Sequence, residues 1–188
     1  MSAKIAFFDL DHTLIKVDSM LAFAKHVNGK KAFYFSLLSI LPKYVQVMLG
    51  LRSHQALKEA FLEFHFKGLS VAELEKQAQL FIPFLDRHLD KKHFQHLTDL
   101  RGEDYEICIV SASCATWVKP WCEHHGYTFI ASEMEFQEGK FTGKLASKNC
   151  KGQEKVKRIN TQYNLDNYSS IKAFGNSKSD RYMLQLAK

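Results

Sequence analysis

Three short apolar runs end abruptly in polar residues, and this feature most limits what the chain can fold into. Lys4–Asp9 (KIAFFD) closes on an acid and Glu106–Ser111 (EICIVS) on a hydroxyl, while Ser170–Phe174 (SIKAF) is followed at once by Gly175. Runs of this length and composition read as buried strands. Helical stretches separate them, so strands alternate with helices, which is the pattern of a parallel α/β sheet. Ligands of such sheets bind beyond the carboxyl ends of the strands, where these runs deliver their polar residues.

Residues 16–105 follow a different period. Tyr34, Leu37, Leu41, Tyr44, Met48 and Leu51 recur at helical spacing, and Pro42 is expected to kink or divide that stripe. Leu57, Ala60, Phe61 and Phe64 mark a second helix, closed by Gly68. Ser70 and Glu73 form a capping box that opens a third, through Leu74, Ala78 and Phe81, whose end Pro83 should disturb. Phe94, Leu97 and Leu100 mark a fourth, stopped at Gly102. The expected architecture is α/β: a Rossmann-like parallel sheet in a three-layer α/β/α core (residues 1–15 plus 106–188) with an inserted α-helical cap (16–105). Further along, Thr116–His125 reads as a helix ended by Gly126, Tyr127–Ala131 as a strand, and Glu133–Phe136 with Phe141–Leu145 as a hairpin. Helices are expected over Gln153–Tyr163 and Ser179–Ala187.

Ala32–Leu51 holds 14 apolar residues of 20, which invites a transmembrane reading. Pro42-Lys43 in its middle and its amphipathic stripe argue against one. The stripe reads instead as core or cap packing. Lys25, Lys30, Lys31, Lys43 and Arg52 flank it, so a peripheral membrane contact through the cap stays open. The four cysteines form no C-x-x-C pair and no basic-then-apolar leader opens the chain, so a reducing, cytoplasmic setting is expected. Charge is uneven: residues 140–188 hold 11 Lys/Arg against 3 Asp/Glu, and residues 1–139 hold 15 against 17. A basic final quarter suits an anionic partner. It lacks any nucleic-acid reader pattern, so no nucleic-acid partner is expected.

Four local patterns carry chemistry. Asp9 and Asp11, two apart beyond a buried strand, need a cationic partner, and hard oxygen donors suit Mg²⁺. A carboxylate there can attack phosphorus to give an aspartyl phosphate, and the second acid can move the protons. Ser111, with free backbone N–H groups following at Ala112, suits a phosphate oxygen. Lys151 and Lys155 stand before and within the start of a helix, where a cation opposes the macrodipole and makes better sense facing an anion. Asn176 and Asp180 follow Gly175, and helical geometry would bring their oxygens to one side.

In order and spacing the four patterns resemble the haloacid dehalogenase-like hydrolase superfamily, in its phosphoserine-phosphatase-like branch with a helical cap, over nearly the whole chain. The resemblance implies a Mg²⁺-dependent phosphomonoester hydrolase. It implies Asp9 as nucleophile and Asp11 as general acid/base, with the Asp11 backbone carbonyl on the metal. Thr13 would steady the first loop, Ser111 bind phosphate, and Asn176 and Asp180 anchor the metal. Lys155 fits the family's G-x-x-K pattern better than Lys151. Thr142-Gly143 matches the family's hairpin. Position 176 is Asn where the family usually has Asp, and the chain stops sooner after Asp180 than is usual. Phosphoserine, a phospholipid headgroup and a small sugar phosphate all stay open as substrates, and the basic, aromatic start of the cap leans toward an amphiphilic ester. The rival expectation is a phosphate-binding or regulatory domain that keeps the fold without turnover.

Overall fold

The computed structural model describes residues 3–188. Its central sheet is parallel throughout and has four strands: β1 (Ala3–Phe8), β2 (Tyr105–Cys114), β3 (Thr128–Ser132) and β6 (Tyr168–Phe174), in the order β3-β2-β1-β6. β1 pairs on both edges, Phe8 lying opposite Ile109 on one side and Phe174 on the other. Its two faces are both covered. Ile5 and Phe7 pack with Cys108, Val110, Ile159 and Met183, whereas Ala6 and Phe8 join the cluster that holds Phe23, Phe66, Phe81 and Trp117. This period-two alternation with apolar residues on both faces is why the run reads as continuously hydrophobic. Phe7 and Phe8 are fully buried, worth about 1.5–3 kcal/mol each in transfer free energy.

The first face carries α1 (Ser19–Met48), α2 (His54–Phe66), α3 (Val71–Arg87), α4 (Lys91–Gly102) and α5 (Ala115–His125), and the second carries α6 (Gln153–Gln162) and α7 (Arg181–Leu184). The result is the expected three-layer α/β/α fold. A hairpin, β4 (Met134–Gln137) and β5 (Lys140–Leu145), packs against α2. The insert leaves and rejoins the sheet through two segments that bond to each other: Lys16 N donates to the His88 carbonyl at 2.9 Å, and Asp90 N to that of Leu14 at 2.8 Å. α4, within the 16–105 span read as insert, packs on β2.

Local signals decide most helix ends. Asp18, Ser53, Ser70 and Asp90 each cap a helix through a side-chain oxygen, and Ser70 with Glu73 forms the full capping box. Three expectations need correction. α3 runs through Pro83 to Arg87, and α1 runs through Pro42; the non-helical break in α1 falls at Gly29, whose φ of 77° is open to glycine at little cost. The last helix is only Arg181–Leu184, because the chain turns back and Lys188 exchanges two hydrogen bonds with Ile171 on the edge of β6.

The third correction concerns the apolar stripe. Tyr34, Leu37, Leu41, Tyr44, Met48 and Leu51 are exposed, and Ser36, Ile40 and Val47 face inward instead. A buried polar pair sets this rotation. The Ser36 hydroxyl donates to the Phe33 carbonyl at 2.6 Å, and His65 Nε2 lies 2.7 Å from Ser36 Oγ. Asn28 Nδ2 lies 3.3 Å from His65 Nδ1, so Nδ1 accepts and Nε2–H donates to Ser36. Burial among Phe33, Phe61, Phe64 and Phe66 pushes the His65 pKa down to about 4.

Two outcomes follow for this helix pair. Ser36→Ala strands the imidazole donor and should cost about 1–3 kcal/mol in urea unfolding at neutral pH. The folded His65 stays neutral where the unfolded one takes a proton, so stability falls as pH drops from about 6.5 towards 4. His65→Gln should flatten that limb of the pH–stability curve.

Candidate active site

The carboxyl edge of the sheet converges on one ammonium group. Lys155, in the first turn of α6 and 1% exposed, donates to Asp9 Oδ1 at 2.6 Å and to Asp180 Oδ1 at 2.7 Å. Asp9 sits immediately beyond β1, its N–H bonded to the Phe174 carbonyl at 2.9 Å, and its Oδ2 accepts from Thr13 Oγ1 at 3.0 Å. Asp180 Oδ2 accepts from Ser177 N and Oγ at 3.0 and 2.6 Å. Asn176 and Asp180 both lie in this turn and not on a helix, which begins only at Arg181. Gly175 is needed for the turn: a Cβ there would stand 2.6 Å from that of Asp180.

Charge in this triad is unbalanced. Two buried carboxylates share one ammonium. Burial raises the Asp9 pKa, Lys155 opposing it and Asp180 adding to it. Burial also works against the charge on Lys155, but Asp9 and Asp180 outweigh it and hold the ammonium protonated. For Asp180 the attraction of Lys155 and the Ser177 hydrogen bonds overcome burial, and its pKa is lowered. With both acids ionised the cluster is one positive charge short.

Oxygen donors stand around that deficit. Asn176 spends its amide nitrogen on the His12 carbonyl, at 2.5 Å. Its Oδ1 makes no hydrogen bond among the described residues, and Asn176, Asp9 and Asp11 line one cavity. Carboxylates, an amide oxygen and backbone carbonyls suit a hard divalent cation such as Mg²⁺, so the residues present fit one. His12, between the two acids' loop and Asn176, adopts φ 59°, a left-handed conformation uncommon for a residue with a Cβ and typical of functional loops.

Asp11 is held separately. Its Oδ1 accepts from Ser19 N at 2.8 Å and its Oδ2 from Ser113 Oγ at 2.5 Å; Ser19 Oγ donates to Ser113 Oγ at 2.8 Å, and Trp117 Nε1 to Ser19 Oγ at 3.0 Å. Burial first, and repulsion from Asp18 second, push its pKa up to about 6. A carboxyl there can hold or release a proton near neutrality.

β2 leaves its ladder with β3 between Val110 and Cys114, which frees the backbone of residues 111–113 from sheet pairing. Ser111 is fully buried and its Oγ accepts from Ser113 N at 3.0 Å, whereas Ala112 and Ser113 line the cavity. Lys151 also lines the cavity, but Lys155 is the lysine that touches Asp9. Sequence reasoning missed Lys58. This buried α2 side chain donates to the Ala112 carbonyl and, at 2.9 Å, to Asn149 Oδ1, tying the insert to the loop beyond β2. The available signal was a lysine flanked by Leu57 and Phe61 on the apolar side of a helix. No comparable signal announced Ser19 and Trp117, which meet across 98 residues of chain.

The cavity measures about 530 Å³. Its floor is polar and its outer wall is apolar, formed by Leu37, Ile40, Leu41, Tyr44, Leu57 and Phe61. Replacing Lys155 with Met would leave two carboxylates buried without their cation. That variant should lose about 3–5 kcal/mol of stability in chemical denaturation at neutral pH.

Comparison with known proteins yields one family and a consistent fold. A family model described as haloacid dehalogenase-like hydrolase matches residues 6–185. No protein of curated function matches the chain in sequence. A protein with unknown function from Bordetella pertussis Tohama I superposes with a TM-score of 0.84 at 20% identity, covering 100% of this chain and 88% of that one. A phospho-aspartyl intermediate analogue of phosphoserine phosphatase gives 0.68 at 17%, covering 100% and 84%. A phosphoserine phosphohydrolase-like protein from Francisella tularensis subsp. tularensis SCHU S4 gives 0.67 at 19%, covering 97% and 82%.

Proposed function

The chain belongs to the haloacid dehalogenase-like hydrolase family, and from that premise we propose that it is a Mg²⁺-dependent phosphomonoester hydrolase working through an aspartyl phosphate on Asp9. The observation that carries this reading is the buried Asp9–Lys155–Asp180 triad, whose Asp9 lines a cavity together with a second acid of raised pKa, Asp11. Asp9, the Asp11 backbone carbonyl, Asn176 and Asp180 would hold the metal. When bound, Mg²⁺ supplies positive charge to the phosphoryl oxygens.

In the first step an Asp9 carboxylate oxygen bonds to phosphorus and the ester P–O bond breaks. The departing alkoxide takes the Asp11 proton. In the second step Asp11 removes a proton from water, the resulting oxygen bonds to phosphorus, and the bond to Asp9 breaks to release phosphate. Lys155 neutralises charge that builds on the phosphoryl oxygens in both transition states. The freed backbone of residues 111–113, with Ala112 offering an N–H, receives the remaining oxygens, and Ser111 shapes that loop. Residues 16–105 cover the site, exclude water and select the substrate, a small or amphiphilic phosphate ester.

Asp9→Asn should abolish hydrolysis of an aryl phosphate with Mg²⁺ present; wild-type turnover in that variant would end the mechanism. Asn176→Asp restores a negative charge among the metal ligands. It should lower the Mg²⁺ concentration for half-maximal activity roughly tenfold, read from a metal titration of the rate. Asn176 also favours the rival of a phosphate-binding domain without turnover. Calorimetric binding of Mg²⁺ and phosphate by a wild-type protein with no activity on any ester would select that rival.

A further inference from the structure

Ten of the fourteen large hydrophobic side chains exposed among the described residues fall between Tyr34 and Leu51. They occupy the second half of α1 and its exit. Phe35, Leu38, Val45 and Leu49 are 64%, 71%, 47% and 68% exposed and follow helical spacing around one side. Isolated exposed apolar residues are ordinary, but a continuous apolar helix face marks a contact surface.

Two observations identify what covers it. The first is charge. The forty residues between Asp18 and Glu59 contain no acid and six cations, Lys25, Lys30, Lys31, Lys43, Arg52 and Lys58. Lys30 and Lys31 stand exposed at one end of the apolar helix and Arg52 just past the other. Lys43 lies toward Glu63, and Lys58 is buried against Ala112 and Asn149. A second copy packed on this face would set cations against cations whichever way the helices ran, with no acid in the segment to answer them. An anionic bilayer surface accepts both the apolar face and its basic ends. No helix among the described residues is long and apolar enough to cross a membrane, so the helix would lie in the interface.

The second is continuity. Leu37, Leu41 and Tyr44 are exposed and also form the wall of the catalytic cavity. The apolar face therefore runs from the protein surface into the pocket that holds Asp9. We propose that this face of α1 docks on an anionic membrane and that the cavity takes a lipid phosphate monoester from it, the acyl chains lying along Leu37, Leu41 and Tyr44 and the phosphate reaching the polar floor. This substrate assignment rests on the hydrolase reading above.

The test uses vesicle flotation together with two activity assays. Wild-type protein should float with phosphatidylcholine vesicles containing about one-third phosphatidylserine, and much less with phosphatidylcholine alone. It should also hydrolyse phosphatidate presented in such vesicles. Leu38→Glu/Val45→Glu alters two side chains outside the cavity wall. That variant should lose flotation and phosphatidate turnover by about tenfold or more, while its rate on a water-soluble aryl phosphate stays unchanged. Wild-type protein that cleaves aryl phosphate but never floats overturns the docking surface and leaves the hydrolase intact. Flotation with aryl phosphate cleaved and phosphatidate untouched overturns the lipid substrate. Flotation with neither ester cleaved overturns the hydrolase reading and the substrate assignment with it. A sedimentation dimer that the double variant dissolves, without flotation, assigns the face to a second copy and overturns the proposal.

Discussion

One buried ammonium group organises the carboxyl edge of the sheet in this protein. Lys155 reaches two carboxylates that arrive from opposite ends of the chain, Asp9 from the exit of β1 and Asp180 from the turn after β6. Neither acid tolerates this degree of burial as an anion alone, and neither does the lysine as a cation. Their mutual attraction fixes the start of α6 against the sheet and fixes the distance between the loops on either side. With both acids ionised the cluster carries one more negative charge than positive. That imbalance leaves room for a further positive charge, as the proposed metal would supply.

Around this centre the sheet acts as a positioning device. β1, like β2, is buried on both faces and paired on both edges, and Asp9 follows it directly. The neighbouring strand β2 leaves its pairing with β3 after Val110, and Ala112 and Ser113 line the cavity with Asp9 and Asp11. Asp11 is coupled to the insert, because one of its oxygens accepts from the backbone of Ser19, the first residue of α1. Lys58 makes the reverse connection, from α2 to the loop beyond β2. The apolar cluster also runs without interruption from Phe8 on the sheet to Phe23, Phe66 and Phe81 in the helices above. Any movement of residues 16–105 would thus be felt at the loop that carries Asp9 and Asp11 and at residues 111–113.

The second half of α1 obeys a different rule. Its inward stripe is narrow and partly polar, and it is anchored by the hydrogen bond between Ser36 and His65. That anchor leaves most of the helix's apolar surface outward and brings four of its side chains, Leu37, Ile40, Leu41 and Tyr44, to the cavity wall. The same rotation therefore shapes the pocket and builds the surface that surrounds its mouth. A helix turned to bury Tyr34, Leu38 and Val45 would have produced neither.

Much of this was legible in the residues alone. The strands at Lys4–Asp9, Glu106–Ser111 and Ser170–Phe174 announce themselves because burial on both faces leaves a continuous apolar run, and the acids, lysine and amide that meet at the site stand at fixed offsets from those runs. The capping box of Ser70 and Glu73 is local chemistry, readable within four residues. The sequence by itself thus determined the α/β alternation, the sheet's polar edge and the acids delivered to it, while the choice of Lys155 over Lys151 was settled by its contacts with Asp9 and Asp180. Tertiary structure alone decided which way α1 faces, that its break falls at Gly29 and not at Pro42, and that Ser113, Ser19 and Trp117 hold Asp11. Periodicity reports that a helix has an apolar side, but the direction of that side depends on partners such as His65, distant in the chain, whose hydrogen bonds leave no trace in local spacing.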